Sequence, residues 1–213
     1  MQGASDATAM IGYGAIFTLF FITLGPLKIL GPFTQFTHET DEATMRKIAV
    51  RAFVIAVIAV VAGGFAGRLL LENWGISSSA MLLAGGIIFA LVGLNLVLQQ
   101  YQPTHPAPSP LPAVPMAAAM RITFPTVVTP YGIAALIVVL SNSHDAGRIA
   151  AILALLLAVM VLNLLTMLYA RRIMGGVTLM VLQIVGAVLG VLQVALAIDM
   201  TLRALHELGV LPG

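Results

Sequence analysis

Two stretches of this chain place proline inside long apolar runs. The first reads Thr23-Leu24-Gly25-Pro26-Leu27-Lys28-Ile29-Leu30-Gly31-Pro32-Phe33, and the second reads Thr123-Phe124-Pro125-Thr126-Val127-Val128-Thr129-Pro130-Tyr131-Gly132. Proline lacks the N–H that a helix interior needs and displaces the preceding turn, so carbonyls four residues back lose their donor. Neither stretch is expected to be one continuous helix. A gap in a helix offers chemistry on both sides. The N–H groups and positive dipole end of a new N-terminus suit a carboxylate, while the freed carbonyls suit an ammonium or a cation. Hydroxyls at Thr123, Thr126 and Thr129 could satisfy freed groups or a ligand. Gly25, Pro26, Lys28, Thr126, Thr129, Pro130 and Tyr131 are therefore the first candidates for substrate binding, with ordinary proline kinks as the alternative.

Charged and amide side chains near these stretches are few. Lys28 is the only charge between Asp6 and Glu39; deep in a bilayer it would be functional, and at an interface it would simply snorkel. Asp199 lies four residues before Arg203, which allows either a helix ion pair or an ion-coupling carboxylate. Asn95, Asn163 and Gln183 are amides on apolar segments, suited to interhelical hydrogen bonds or to solute contact; Asn95 is carried forward as a binding candidate. No catalytic constellation appears. His38, His105, His144 and His206 have no ligand spacing, and there is no nucleophile elbow, phosphate loop or intramembrane carboxylate pair. The expectation is a protein without enzyme activity, catalytic residues, metal or cofactor.

The composition says what must position such residues. Among 213 residues there are 10 Lys/Arg and 8 Asp/Glu, with 60% hydrophobic and 8% charged types and a mean hydropathy of +1.06. Soluble domains carry about 25% charged residues, so this chain cannot cover a water-facing surface. That excludes a soluble enzyme, a disordered chain and a nucleic-acid binder with a basic face. With no cysteine, disulfides and thiolate sites are excluded as well. Six apolar segments, 7–27, 52–67, 76–98, 122–142, 149–170 and 173–198, are each read as a spanning helix. No positive charge precedes the first, so it is expected to be retained and not cleaved as a signal.

Arg46, Lys47, Arg51, Arg121, Arg171 and Arg172 fall on one side of a six-span arrangement, against Arg68, Arg148 and Arg203 on the other. This bias places both termini outside the cytoplasm. The stretch 103–115 holds six of the chain's eleven prolines and reads as an extended connector on the cytoplasmic side. It separates residues 1–100 from 118–213, with 101–117 as the linker.

The halves echo one another at an offset of about 100 residues. Pro26 and Pro32 answer to Pro125 and Pro130, Ile48-Ala49 to Ile149-Ala150, Gly75 to Gly175, and Gly86 to Gly186. Three spans per half is an odd number, so the second half enters the membrane inverted, a marker of transporter folds. Gly63-xxx-Gly67 and Gly186-xxx-Gly190 permit close helix approach and a homodimer.

In order, Gly25-Pro26-Leu27, Pro32-Phe33, Arg51-Ala52, Trp74-Gly75-Ile76-Ser77, Ala84-Gly85-Gly86 and the pair Pro125 and Pro130 resemble the MarC family over about residues 11–203. The resemblance implies a six-span inner-membrane protein, from a family that includes neutral amino acid transporters and is related to LysE-type exporters. The family's Asn-Pro-x-Gly reads Gly25-Pro26-Leu27-Lys28 here, and its Gly-Pro-Gly reads Thr129-Pro130-Tyr131. Its arginines in segments three and six are replaced by Leu82 and Gln183, and an aspartate by Asn95, while Asp199 matches an acidic family position. Lys28 and Tyr131 thus narrow the cavity, or add an anion contact and a hydroxyl.

The expected fold is all-α: a polytopic membrane protein of six transmembrane helices, built as two inverted three-helix repeats with proline-broken first helices. The expected function is secondary transport of a small neutral or zwitterionic metabolite, above all an amino acid, by alternating access at a midplane site. The alternatives are a non-transporting membrane scaffold and an ion-conducting pore. Expected partners are the solute, the lipid bilayer of the bacterial-type inner membrane and a second copy of the chain, with no nucleic acid.

Overall fold

A computed structural model describes residues 11–98, 115–173 and 176–211. Asp6 and most of the expected linker, 101–114, lie outside the described residues. The order of elements is α1 (Tyr13–Leu24), α2 (Pro26–Thr37), α3 (Glu42–Asn73), α4 (Ser78–Leu98), α5 (Pro115–Ile122), a π-helical turn (Thr123–Val127), α6 (Pro130–Ser141), α7 (Ala146–Leu168), α8 (Ala170–Ile173) and α9 (Gly176–Glu207). Among the described residues there is no strand.

Proline chemistry explains where the helices break. The residue before a proline is pushed toward extended backbone, because the ring crowds its N–H and Cβ. Gly25 (φ −80°, ψ 177°) precedes Pro26, Phe124 (φ −114°, ψ 123°) precedes Pro125, and Thr129 (φ −96°, ψ 149°) precedes Pro130. Pro26 and Pro130 then open new helices at the first-turn position, where a missing N–H costs nothing. Pro32 departs from expectation. It sits inside α2 without ending it, and the residue before it is Gly31, which has no Cβ for the ring to strike.

Five helical runs are long and apolar enough to cross a membrane: Tyr13–Thr37, Glu42–Asn73, Ser78–Asn95, Ala146–Leu168 and Ile184–Glu207. Pro130–Ser141 is apolar but, at 12 residues, too short to span alone. The second run outgrows the expected segment 52–67. Its 32 residues would reach about 48 Å at 1.5 Å per residue. Ion pairs one turn apart, Arg46 with Glu42 at 2.7 Å and Arg68 with Glu72 at 2.8 Å, continue it past both ends of its apolar part. Asp41 caps its start, accepting from Thr44 N at 2.9 Å. Its far end turns at Gly75, whose φ of 65° suits a residue without Cβ.

The broken segment lies inside the bundle. In its most apolar window Tyr13–Thr37 is 59% buried, against 28–33% for the other four runs. Large apolar side chains on the outer helices, such as Ile58, Leu91, Ile184 and Val191, remain exposed, as a lipid-facing surface requires. The most extensive pairing joins α4 to α9; α3 packs on α5 and α6, α7 on α1 and α2, α4 on α6, α9 on α1, and α3 on α7. Exchange α1–α2 with α5–α6, α3 with α7, and α4 with α9, and this set of pairings maps onto itself. Close approach depends on glycine: a methyl group at Gly64 would fall 2.3 Å from Leu136 Cδ2, and one at Gly93 would fall 3.0 Å from Gly190 O. The glycines of the first small-residue motif are occupied within the chain, Gly63 facing Ile133 and Gly67 facing Ile137.

Arginines tie the bundle at its ends. Arg148 donates to Ile11 O at 2.7 Å and Ser143 Oγ at 3.0 Å, while Arg171 donates to Thr37 O at 2.8 Å and to Thr40 O.

A methyl group at Gly25 would meet Phe21 O at 1.8 Å, a backbone atom that cannot step aside. Gly25→Ala is therefore expected to lower stability by about 1–3 kcal/mol, the usual cost of overpacking. Gly31→Ala meets nothing within 4 Å beyond its chain neighbours but gives the Pro32 ring a Cβ to crowd, so it should lower stability by less than Gly25→Ala; thermal unfolding in detergent compares them. The Asp41 carboxylate is held below its ordinary 3.8, first by the Thr44 backbone N–H and then by the Thr44 side chain. A depressed carboxylate stabilises the fold above its unfolded pKa and loses that contribution as pH falls through the folded one. Asp41→Asn should thus flatten the loss of unfolding midpoint below about pH 4 while leaving the neutral-pH profile otherwise parallel to wild type.

Candidate functional site

The two breaks meet. α1 ends at Leu24 and α2 begins at Pro26, which leaves carbonyls of the last α1 turn without a continuing helix to donate to them. The opposite half supplies the donors. Thr129 Oγ1 donates to Thr23 O at 3.0 Å, and Asn163 Nδ2, from α7, donates to Leu24 O. Thr129 is also the N-cap of α6, accepting from Gly132 N at 3.1 Å. Gly132 lets the two helices come close at this crossing, since a Cβ there would lie 2.1 Å from Leu24 Cδ2 and the Leu24 side chain would have to move. Thr123 anchors the second break, donating to Ala119 O at 2.8 Å, and its own carbonyl accepts from Val128 N at 2.8 Å across the π turn.

The two new N-termini differ chemically. Thr129 caps α6, whereas Gly25 gives α2 no side-chain cap. Gly25 thus has no side chain to cover the first-turn N–H groups, and Lys28 stands in the same turn. The Lys28 ammonium lies 5.8 Å from the ring centroid of Tyr131, in the first turn of α6. A cation over the aromatic face holds these two side chains together across the breaks. Gly25 and Pro26 are buried, Thr126 is half-buried on the π turn, and Pro130 and Tyr131 are exposed.

The model of the MarC family of integral membrane proteins matches residues 10–208. The chain belongs to the MarC family. It is similar to a UPF0056 membrane protein of Methanocaldococcus jannaschii, 24% identical over 193 residues, covering 89% of this chain and 94% of that one. No solved structure matches. With the five apolar runs above, membership makes this an integral, multi-pass membrane protein.

Two positions singled out in this MarC chain stand apart from the breaks. Asn95 is exposed and donates to Leu91 O of its own helix at 3.0 Å. Asp199 pairs with Arg203 at 2.8 Å, the two side chains 51% and 41% exposed. The Gln183 side chain lies outside the described residues. Two amides carry more than their sequence context announced. Asn163, 1% exposed, braces Leu24, yet its Oδ1 finds no donor among the described residues. Gln193 is fully buried on α9, with neither amide atom partnered among the described residues. Amides on apolar helices were the available signal, and spacing alone could not rank them. A hollow of about 470 Å³ at the end of α2 is lined by Thr34, Gln35, His38 and Arg171.

Thr129 serves two bonds with one hydroxyl, so Thr129→Val, of similar shape, should cost about 1–3 kcal/mol on unfolding in detergent. Thr129→Ser keeps both bonds and should recover most of that loss.

Proposed function

We propose that this MarC protein is a secondary transporter of a small neutral or zwitterionic solute, above all an amino acid, working by alternating access at the meeting of its two breaks. The observation that carries the reading is the uncapped N-terminus of α2 beside Lys28, facing Tyr131 of the other break. N–H groups at a positive dipole end and one ammonium fit a carboxylate, with the Tyr131 ring shaping the same space. Broken helices at corresponding positions in two halves are the usual setting of transporter sites. The fold is read as six spans, with α5, the π turn and α6 together forming the fourth, in two inverted repeats divided at 101–117. The exchange-invariant helix pairing supports that reading. On that reading the arginine bias would put both termini outside the cytoplasm of a bacterial-type inner membrane. In this scheme the solute crosses unchanged, and a gradient supplies the work.

Purified protein in liposomes preloaded with unlabelled L-alanine should take up labelled L-alanine by counterflow, as should other small amino acids in a broad panel. No counterflow across the panel overturns the reading. In Lys28→Met, half-saturation for alanine should rise about tenfold, the worth of one charge-assisted contact. Competition by alaninamide, which lacks the carboxylate, should change little.

A further inference from the structure

Two runs long and apolar enough to cross a membrane finish together at one end of the bundle. Tyr13–Thr37 ends at Thr37 and Ala146–Leu168 at Leu168, and Arg171 ties the two ends by donating to Thr37 O at 2.8 Å and to Thr40 O. Two spans leaving the apolar layer at the same place put this end at the level of lipid headgroups. Tyr169, 51% exposed, precedes the arginine pair as an interfacial tyrosine would. The hollow of about 470 Å³ lies here, lined by the last turn of α2 and by Arg171.

The side chains around this hollow have hydrogen bonds left to give. Both bonds from Arg171 leave through Nη2, so Nε and Nη1 keep their N–H groups. Gln35 and His38 are exposed, and neither side chain has a partner among the described residues. Thr34 differs, its hydroxyl already donating to Leu30 O and Gly31 O. Three donor side chains, one of them a tethered cation, thus surround a space that no carboxylate among the described residues lines. The acidic residues that follow α2 are engaged or stand outside: Asp41 caps α3, Glu42 pairs with Arg46, and Glu39 is not part of the lining. Arg171 also covers carbonyls at the C-terminal end of α2, which offsets the repulsion that this end of the helix would exert on an anion.

We propose that this hollow binds the phosphate of an anionic phospholipid, Arg171 supplying the charge and Gln35 and His38 further N–H donors. Basic pockets between spans at a membrane surface suit such headgroups. A guanidinium already held by two carbonyls loses little freedom when it also meets a phosphate oxygen. Position decides for a lipid over a dissolved phosphate. A headgroup is kept at this level by its own chains, so its local concentration is high. The site stands apart from the breaks and does not depend on the transport reading; it needs only that the two spans finish where they do.

The test is thermal unfolding of the full chain in mixed micelles of detergent with either phosphatidylglycerol or phosphatidylcholine at equal mole fraction. Phosphatidylglycerol should raise the midpoint by about 2–4 °C over phosphatidylcholine, saturating as its mole fraction grows. Gln35→Leu combined with His38→Leu removes no hydrogen bond among the described residues and should lose half of that rise or more. Arg171→Gln should lose all of it; should that variant fail to fold, the double variant decides. Lys47→Gln, an exposed charge outside the hollow, should keep the rise. Equal midpoints in the two lipids overturn the site. So does a rise that survives the double variant, or one that Lys47→Gln removes, since either leaves only general attraction to a basic end of the bundle. Inorganic phosphate added to phosphatidylcholine micelles at constant ionic strength should not reproduce the rise. If it does, and the double variant abolishes it, the occupant is a free phosphate and the lipid proposal fails.

Discussion

Inside a bilayer a backbone carbonyl has no water to turn to, and this chain interrupts its helices where that absence matters most. The price of Gly25-Pro26 is a set of carbonyls at the end of α1 that no downstream N–H of the same helix can reach. They are covered instead by Thr129 and Asn163, more than one hundred positions away in sequence. Much else follows from that requirement. The second half must bring its own break against the first, α7 must pass close to Leu24, and Gly132 must be small enough to let α6 approach. The buried position of the broken segment is thus a condition of its being broken at all.

The helical, membrane-embedded character and the MarC resemblance were legible because they rest on composition and on ordered local motifs. Both breaks were legible too, since proline acts on its own neighbours. Less local outcomes escaped. Pro32 carries the same donor defect as Pro26 and, like it, follows a glycine, yet α2 runs through it; nothing local to the sequence separates the two. The ends of α3 were hidden because arginine and glutamate look like boundaries until they pair one turn apart. Asn95 and Asn163 are alike as residues on apolar helices. One bonds to its own turn and faces outward, while the other reaches across to the break. Only the rotation of each helix about its axis separates them, and in uniformly apolar segments the sequence does not set that rotation.

The same limitation applies to Asp199. A carboxylate in an apolar run is conspicuous, but an arginine one turn later neutralises it without any help from the rest of the fold. The hydrogen bonds that close the breaks run instead through groups that a charge-counting eye passes over: peptide carbonyls, two threonines and an amide.

The two N-termini at the breaks are related by the exchange of halves, yet they are not equivalent: Thr129 closes one and the other stays open beside Lys28. A scaffold with equivalent breaks would hold a head-to-tail molecule equally well in either of two poses. Under the proposed transport, that difference between the caps would give a dipolar solute a single favoured heading between the two breaks.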